Sequence, residues 1–309
     1  MTSDGVAFID AEIENQAIYE KSRASRTIAR FSYLLKRDKI AIVSFVILSV
    51  FIICALIPSR IAPYDPYKMN LRSRFEPPMG EGVKGSYILG TDQLGRDLLS
   101  RIIYGARVSL VVSSSAVLLS LILGVTIGLI SGFVGGLGDN ALMGLTEVQL
   151  AIPYILLAIA IIAILGPSNL NLIIVCAVTG WTVYAKLVRA QVLSVREETY
   201  VMAAKAIGCT VPQIIFNHIL PQIIVPIIVV ATLEMARIIL LEASLSFLGL
   251  GVQPPNISWG LILSDGREYL NSAWWVSTFS GIAIMLTVLA INSIGNLLSE
   301  VLDPRRQEG

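Results

Sequence analysis

Histidine is almost missing from this chain: among 309 residues there is one, His218. A His/Cys metal cluster is therefore excluded, since such centres need several ligands at fixed spacing. The three cysteines, Cys54, Cys176 and Cys209, are equally sparse. Two fall in apolar runs and the third in a loop, so no disulfide is expected. A Ser-His-Asp site would have to use His218, and no nucleophile elbow accompanies it. Charge is scarce as well. Only 15% of residues are charged and the net charge is +1, so bulk charge offers no surface for nucleic acid. The nearest approach to a phosphate loop is Gly80 to Gly85. Ser86-Tyr87 follows where the phosphate-binding lysine belongs. No dinucleotide fingerprint appears either. The residues name no cofactor, no metal and no catalytic group.

Apolar side chains fill the space these absences leave. The chain is 55% hydrophobic with a mean hydropathy of +0.74, a level soluble domains rarely reach. A membrane-spanning helix needs about 20 mostly apolar residues. Six stretches qualify: 40–57, 110–131, 142–165, 172–192, 223–247 and 276–298. Backbone polar groups in lipid must be satisfied within the segment, and no alternation suggests a barrel, so the reading is an all-α membrane protein with six transmembrane helices. Lys21, Arg23, Arg26, Arg30, Lys36, Arg37 and Lys39 precede the first span. That bias places the N-terminus in the cytoplasm, and six crossings return Arg305 and Arg306 to the same side. Two regions follow. Residues 1–38 form a cytoplasmic segment in which Ile28, Phe31, Leu34 and Leu35 recur at helical spacing among basic residues, as in a helix lying on the membrane surface. Residues 39–309 form the membrane domain, with an extracellular loop at 58–109 and a cytoplasmic loop at 193–221. Trp259, Trp274 and Trp275 suit an interfacial aromatic belt.

The cytoplasmic loop is the most informative stretch. Residues 200–221 read YVMAAKAIGCTVPQIIFNHILP. Ala203 and Ala204 belong to a helix-forming run, Gly208 can end it with left-handed dihedrals, and Thr210 can cap the next turn. Two alanines, a glycine and then Leu220-Pro221 resemble the EAA loop of ABC-importer permeases, with Met202 standing where an acidic residue is usual. The resemblance widens along the chain. IAPYDP, LGTDQLGRD, LSFLGLG followed by PP and SWG, and the final LDPR occur in order. Together they resemble the C-type permease subunit of the dipeptide/oligopeptide/nickel ABC importers, over about residues 30 to 306. The resemblance implies a type I ABC importer permease fold. It implies a second homologous permease, two ATP-binding subunits that supply hydrolysis, and an extracellular solute-binding protein. It makes Tyr200, Ala203, Ala204, Gly208, Leu220 and Pro221 the ATPase-coupling residues. Peptide is the first substrate expectation, with nickel chelates or oligosaccharides as alternatives. From the residues alone a secondary transporter remains the competing class, although it would leave the cytoplasmic loop unexplained. The expected location is the cell membrane of a bacterium or archaeon.

Charged residues inside spans are costly and usually face an interior. Glu234 and Arg237 stand three apart on the fifth span and can pair on one face, with Glu242 following. They either line the translocation path or fix helix packing. In the outer loop Asp92, Arg96 and Asp97 are expected to hold the LGTDQLGRD segment in one shape. That shape serves either local folding or contact with the binding protein.

Overall fold

The computed structural model describes residues 31, 33–82 and 85–302. The expected surface helix of residues 1–38 lies largely outside them. Its described end is helical, and Phe31, Leu34 and Leu35 pack against Ala41, Leu297 and Val301.

Nine helices carry the described architecture. They are α1 (Lys39–Leu56), α2 (Leu98–Val134), α3 (Gly136–Ala151), α4 (Tyr154–Leu165), α5 (Asn169–Val195), α6 (Thr199–Ala206), α7 (Leu220–Phe247), α8 (Trp259–Gly266) and α9 (Trp274–Leu302). Shorter turns join them, and a small antiparallel hairpin, Gly80–Gly82 against Gly85–Tyr87, sits in the outer loop. Among the described residues five helices are long and apolar enough to cross a membrane, and the bent α3–α4 pair makes a sixth when counted as one span.

Short polar side chains start four of these helices. Asp38 accepts from the Ile40 amide at 2.8 Å, Asp97 from Ser100 at 2.8 Å, Ser168 from Asn171 at 3.1 Å and Ser258 from Leu261 at 3.2 Å. Each satisfies an orphan amide, worth about 1 kcal/mol. The Asp97 cap corrects the hydropathy-based boundary. The helix of the second span begins at Leu98, not at residue 110, so the loop expected to be extracellular ends earlier than 109. Polar residues in its first turns hid this start. Ser100, Arg101 and Ser109 are all buried against other elements rather than displayed in a loop.

The third span departs from expectation too. Residues 142–165 do not form one helix; α3 and α4 meet at 93° around Ile152-Pro153. Proline has no amide for the continuing helix and its ring clashes with the preceding turn. The tryptophan belt is also revised. Trp259 and Trp275 are buried, donating from Nε1 to the carbonyls of Ile102 and Thr91 at 3.0 Å each. Only Trp274 of these three is exposed.

Association in the membrane rests on close packing rather than on escape from water. Gly124, Gly128 and Gly132 press α2 against α5. A Cβ on Gly128 would stand 2.7 Å from both the Ala185 carbonyl and the Val188 Cβ. At one end of the bundle Leu98, Ile102, Ile239, Trp259, Val276 and Ile284 form one apolar core. At the opposite end Val188, Val192, Val201, Ala204, Ile214, Ile219 and Ile223 form another, which holds the loop after α5.

Candidate coupling loop and intramembrane polar cluster

The loop after α5 is a short helical hairpin seated on that second core. α6 ends in a full Schellman motif. Gly208 has φ +87°, its amide donates to the Lys205 carbonyl at 3.1 Å, and the Cys209 amide donates to the Ala204 carbonyl at 3.0 Å. The next turn is closed by Gln213, whose Oε1 accepts from the Thr210 amide at 2.8 Å and hydroxyl at 2.9 Å. A wider turn over Ile215–Ile219 then runs into α7. One face of this hairpin is anchored: Val201, Ala204, Ile214 and Ile219 are buried. The other is bare. Ile207 is 81% exposed and Phe216 63%, with Tyr200, Met202, Ala203 and Val211 exposed beside them. Apart from its chain neighbours, nothing among the described residues lies within 4 Å of a Cβ built on Gly208. Its backbone dihedral, not crowding inside this chain, is what calls for glycine there. Leu220 is half-buried and Pro221 exposed at the start of α7.

Two ion-pair systems brace the surroundings. Near the loop after α5, Arg189 of α5 grips Asp139 of α3 through Nε and Nη2, at 2.6 Å each, and the Ser131 hydroxyl also donates to Asp139. Beside this pair a polar cleft of about 450 Å³ is lined by Asn140, Met143, Gly144, Glu147, Lys186 and Arg189. At the opposite end Asp92 is fully buried. It accepts from the amides of Leu94 and Arg96 at 2.8 and 3.0 Å, from Arg96 Nε at 2.6 Å, and from Arg101. Asp265 of α8 completes the network, 3.1 Å from Arg101 Nη2 and 3.6 Å from Arg96 Nη2. Asp97 stands apart from it, capping α2, and burial pushes its carboxyl above the usual carboxylate range. Desolvation, then the neighbouring Arg101 charge, lowers Arg96 from its usual value. Asp265 escaped sequence reasoning, since nothing local links it to a loop more than a hundred residues earlier.

Within the membrane, Arg237 donates from Nε to Glu234 Oε2 at 2.8 Å. Its Nη2 lies 2.6 Å from the same oxygen, out of hydrogen-bond alignment. The guanidinium also lies over the Tyr154 ring, 5.2 Å from its centroid, at the break between α3 and α4. Glu242 is elsewhere. It is fully buried and accepts from Ser246 at 2.8 Å and Ser109 at 3.3 Å, tying α7 to α2. The three acidic and basic candidates on α7 therefore form two sites rather than one. Among the described residues no cluster of His, Cys, Asp and Glu has the makings of a metal site.

Residues 124–308 match the family model described as the binding-protein-dependent transport system inner membrane component. The chain belongs to that permease family. Residues 29–78 match the N-terminal transmembrane domain of oligopeptide transport permease C, which identifies the C-type branch. A di/tripeptide transport system permease of Pseudomonas aeruginosa is 44% identical over 84% of this chain and 86% of its own length. A dipeptide transport system permease of Alkalihalophilus pseudofirmus is 45% identical over 88% of each. The inward-facing MetNI methionine ABC transporter shares the fold. Its matching chain has a TM-score of 0.54 at 18% identity, covering 67% of this chain and 97% of the other. The chain is thus an all-α, multi-pass type I ABC importer permease, a transport subunit rather than a hydrolase. A permease of this class implies an ATPase, a substrate-binding protein and a second permease as partners.

Proposed function

We propose that the chain forms half of the translocation path of an ATP-driven peptide importer in the cell membrane. Both termini lie in the cytoplasm, and two ATPase subunits, a homologous permease and an extracellular binding protein complete the machine. Support for the substrate class comes from the relatives named for di- and tripeptide transport. Support for the coupling role comes from one observation above all: the loop hairpin is rigidly capped and anchored on one face yet offers Ile207, Phe216, Met202 and Tyr200 outward. A helix with one anchored and one bare apolar face suits insertion into a groove on another protein. ATPase closure would then push on α5 and α7 through Val188, Val192 and Ile219. The test is a photo-crosslinker at position 207 in the assembled transporter. Capture of the ATPase supports the reading, and its absence while the complex copurifies would sink it.

A further inference from the structure

The ion pair on α7 carries the inference, which rests on the peptide-importer reading. Arg237 stands ten residues before Phe247, the end of α7, hence about 15 Å along the helix from it. In a hydrocarbon layer about 30 Å thick that is close to the middle. Its side chain is 25% exposed there, and the Tyr154 beneath it is 42% exposed. A guanidinium facing lipid at that depth is strongly disfavoured, so this face turns toward water or protein. The pair is also only half-used. Both arginine contacts fall on one glutamate oxygen, and the buried Nη2 has no aligned acceptor among the described residues. Tyr184 adds a second unfilled group. It is completely buried, its hydroxyl has no partner among the described residues, and it lies within electrostatic range of both Glu234 and Arg237. The break at Pro153 adjoins the same spot, where α4 starts without a side-chain cap.

We infer that Arg237, supported by the Tyr154 ring, is the mid-membrane subsite that receives the terminal carboxylate of a passing short peptide. A guanidinium is a planar fork that takes a carboxylate bidentately, which a lone Glu234 oxygen at one edge does not exhaust. Glu234 neutralises the arginine while the path is empty, so no bare charge waits in a low-dielectric site. An arriving carboxylate meets the exposed part of the guanidinium and draws the buried Nη2 out to complete the fork, and the zwitterion's ammonium balances the extra negative charge beside Glu234. No bond is made or broken. Selection at this point is a positioning effect that follows whatever the binding protein has already chosen.

The experiment uses the whole transporter in proteoliposomes, with one binding protein and two probes: a dipeptide with a free C-terminal carboxylate and its C-terminal amide. Each is supplied on saturating binding protein, and the ratio of acid to amide uptake is read for each permease. Because the binding protein is common to all, a change in ratio between permeases belongs to the membrane subunit. Replacing Glu234 and Arg237 together by Gln should lower the ratio about tenfold, the worth of a charge-assisted hydrogen bond. Arg237→Lys, which keeps the charge and the pair, should retain part of the preference and guards against misassembly of the double variant. An unchanged ratio in both variants, with the wild type importing peptide, overturns this inference alone. The same holds if the wild type shows no preference, for the guanidinium then serves packing or an acidic group of the partner permease. A wild type that imports neither peptide under ATP overturns the peptide reading and this inference with it.

Discussion

Replacing Asp92 by Ala removes the hub of the outer network. The carboxylate is fully buried and takes hydrogen bonds from two amides and from the guanidiniums of Arg96 and Arg101. Arg101 is itself buried, with 1% exposed, and its one remaining carboxylate would be Asp265 at 3.1 Å. Deleting one member of a buried pair while its partner stays charged costs about 3–5 kcal/mol. At about 2 °C per kcal/mol for a chain of this size, the apparent Tm should fall by about 6–10 °C. The assay is thermal unfolding of the purified permease in detergent, followed by intrinsic tryptophan emission. Trp275 is a suitable reporter, because its Nε1 bonds the Thr91 carbonyl next to Asp92. Asp92→Asn should fall between wild type and Asp92→Ala, since the amide oxygen can still accept from Leu94 and Arg96. A Tm for Asp92→Ala within 2 °C of wild type, measured under these conditions, would refute the argument that this network fixes the outer loop.

Three other outcomes follow from local geometry. Gly208→Val should leave the protein inserted but abolish transport, because a β-branched residue resists the left-handed dihedral at φ +87°. Gly208→Asn should keep substantial uptake, since asparagine tolerates that region; equal failure of both would shift the cause to a tight contact with the ATPase. Gly128→Leu should prevent stable folding, read as loss of a monodisperse detergent-solubilised peak. Its side chain would enter the α2–α5 seam against Val188 and the Ala185 carbonyl. Arg189→Lys should cost about 1 kcal/mol by giving up one of two hydrogen bonds to Asp139, visible as a modest fall in Tm.

Local signals read well from the amino-acid order, and distant ones did not. The hairpin of the cytoplasmic loop was legible because Gly208 and Thr210 impose dihedrals and caps on their immediate neighbours. The crossing helices were legible because bulk apolarity is enough to place a segment in lipid. The start of α2 was not: hydropathy treats Ser100, Arg101 and Ser109 as loop, whereas Asp265 and Trp259 of α8 hold Arg101 and Ser109, and Asp97 and the Tyr64 amide hold Ser100. The break in the third span rests on Pro153 alone, and its apolar flanks masked that residue in a hydropathy average. The Arg101–Asp265 and Arg189–Asp139 pairs join separate helices, so no spacing rule reports them. At the α7 cluster the Glu234–Arg237 spacing was visible, but Tyr154 and Tyr184 come from α4 and α5.

In the proposed function this permease turns ATP hydrolysis elsewhere in the complex into peptide movement through the loop at 197–216. The most direct measurement is uptake of a labelled dipeptide into proteoliposomes carrying the assembled transporter, with ATP inside and loaded binding protein outside. Accumulation is expected only when both are present, and should be lost in the Gly208→Val transporter even though the subunits remain associated. Accumulation driven by an imposed proton gradient, without ATP or binding protein, would contradict this function.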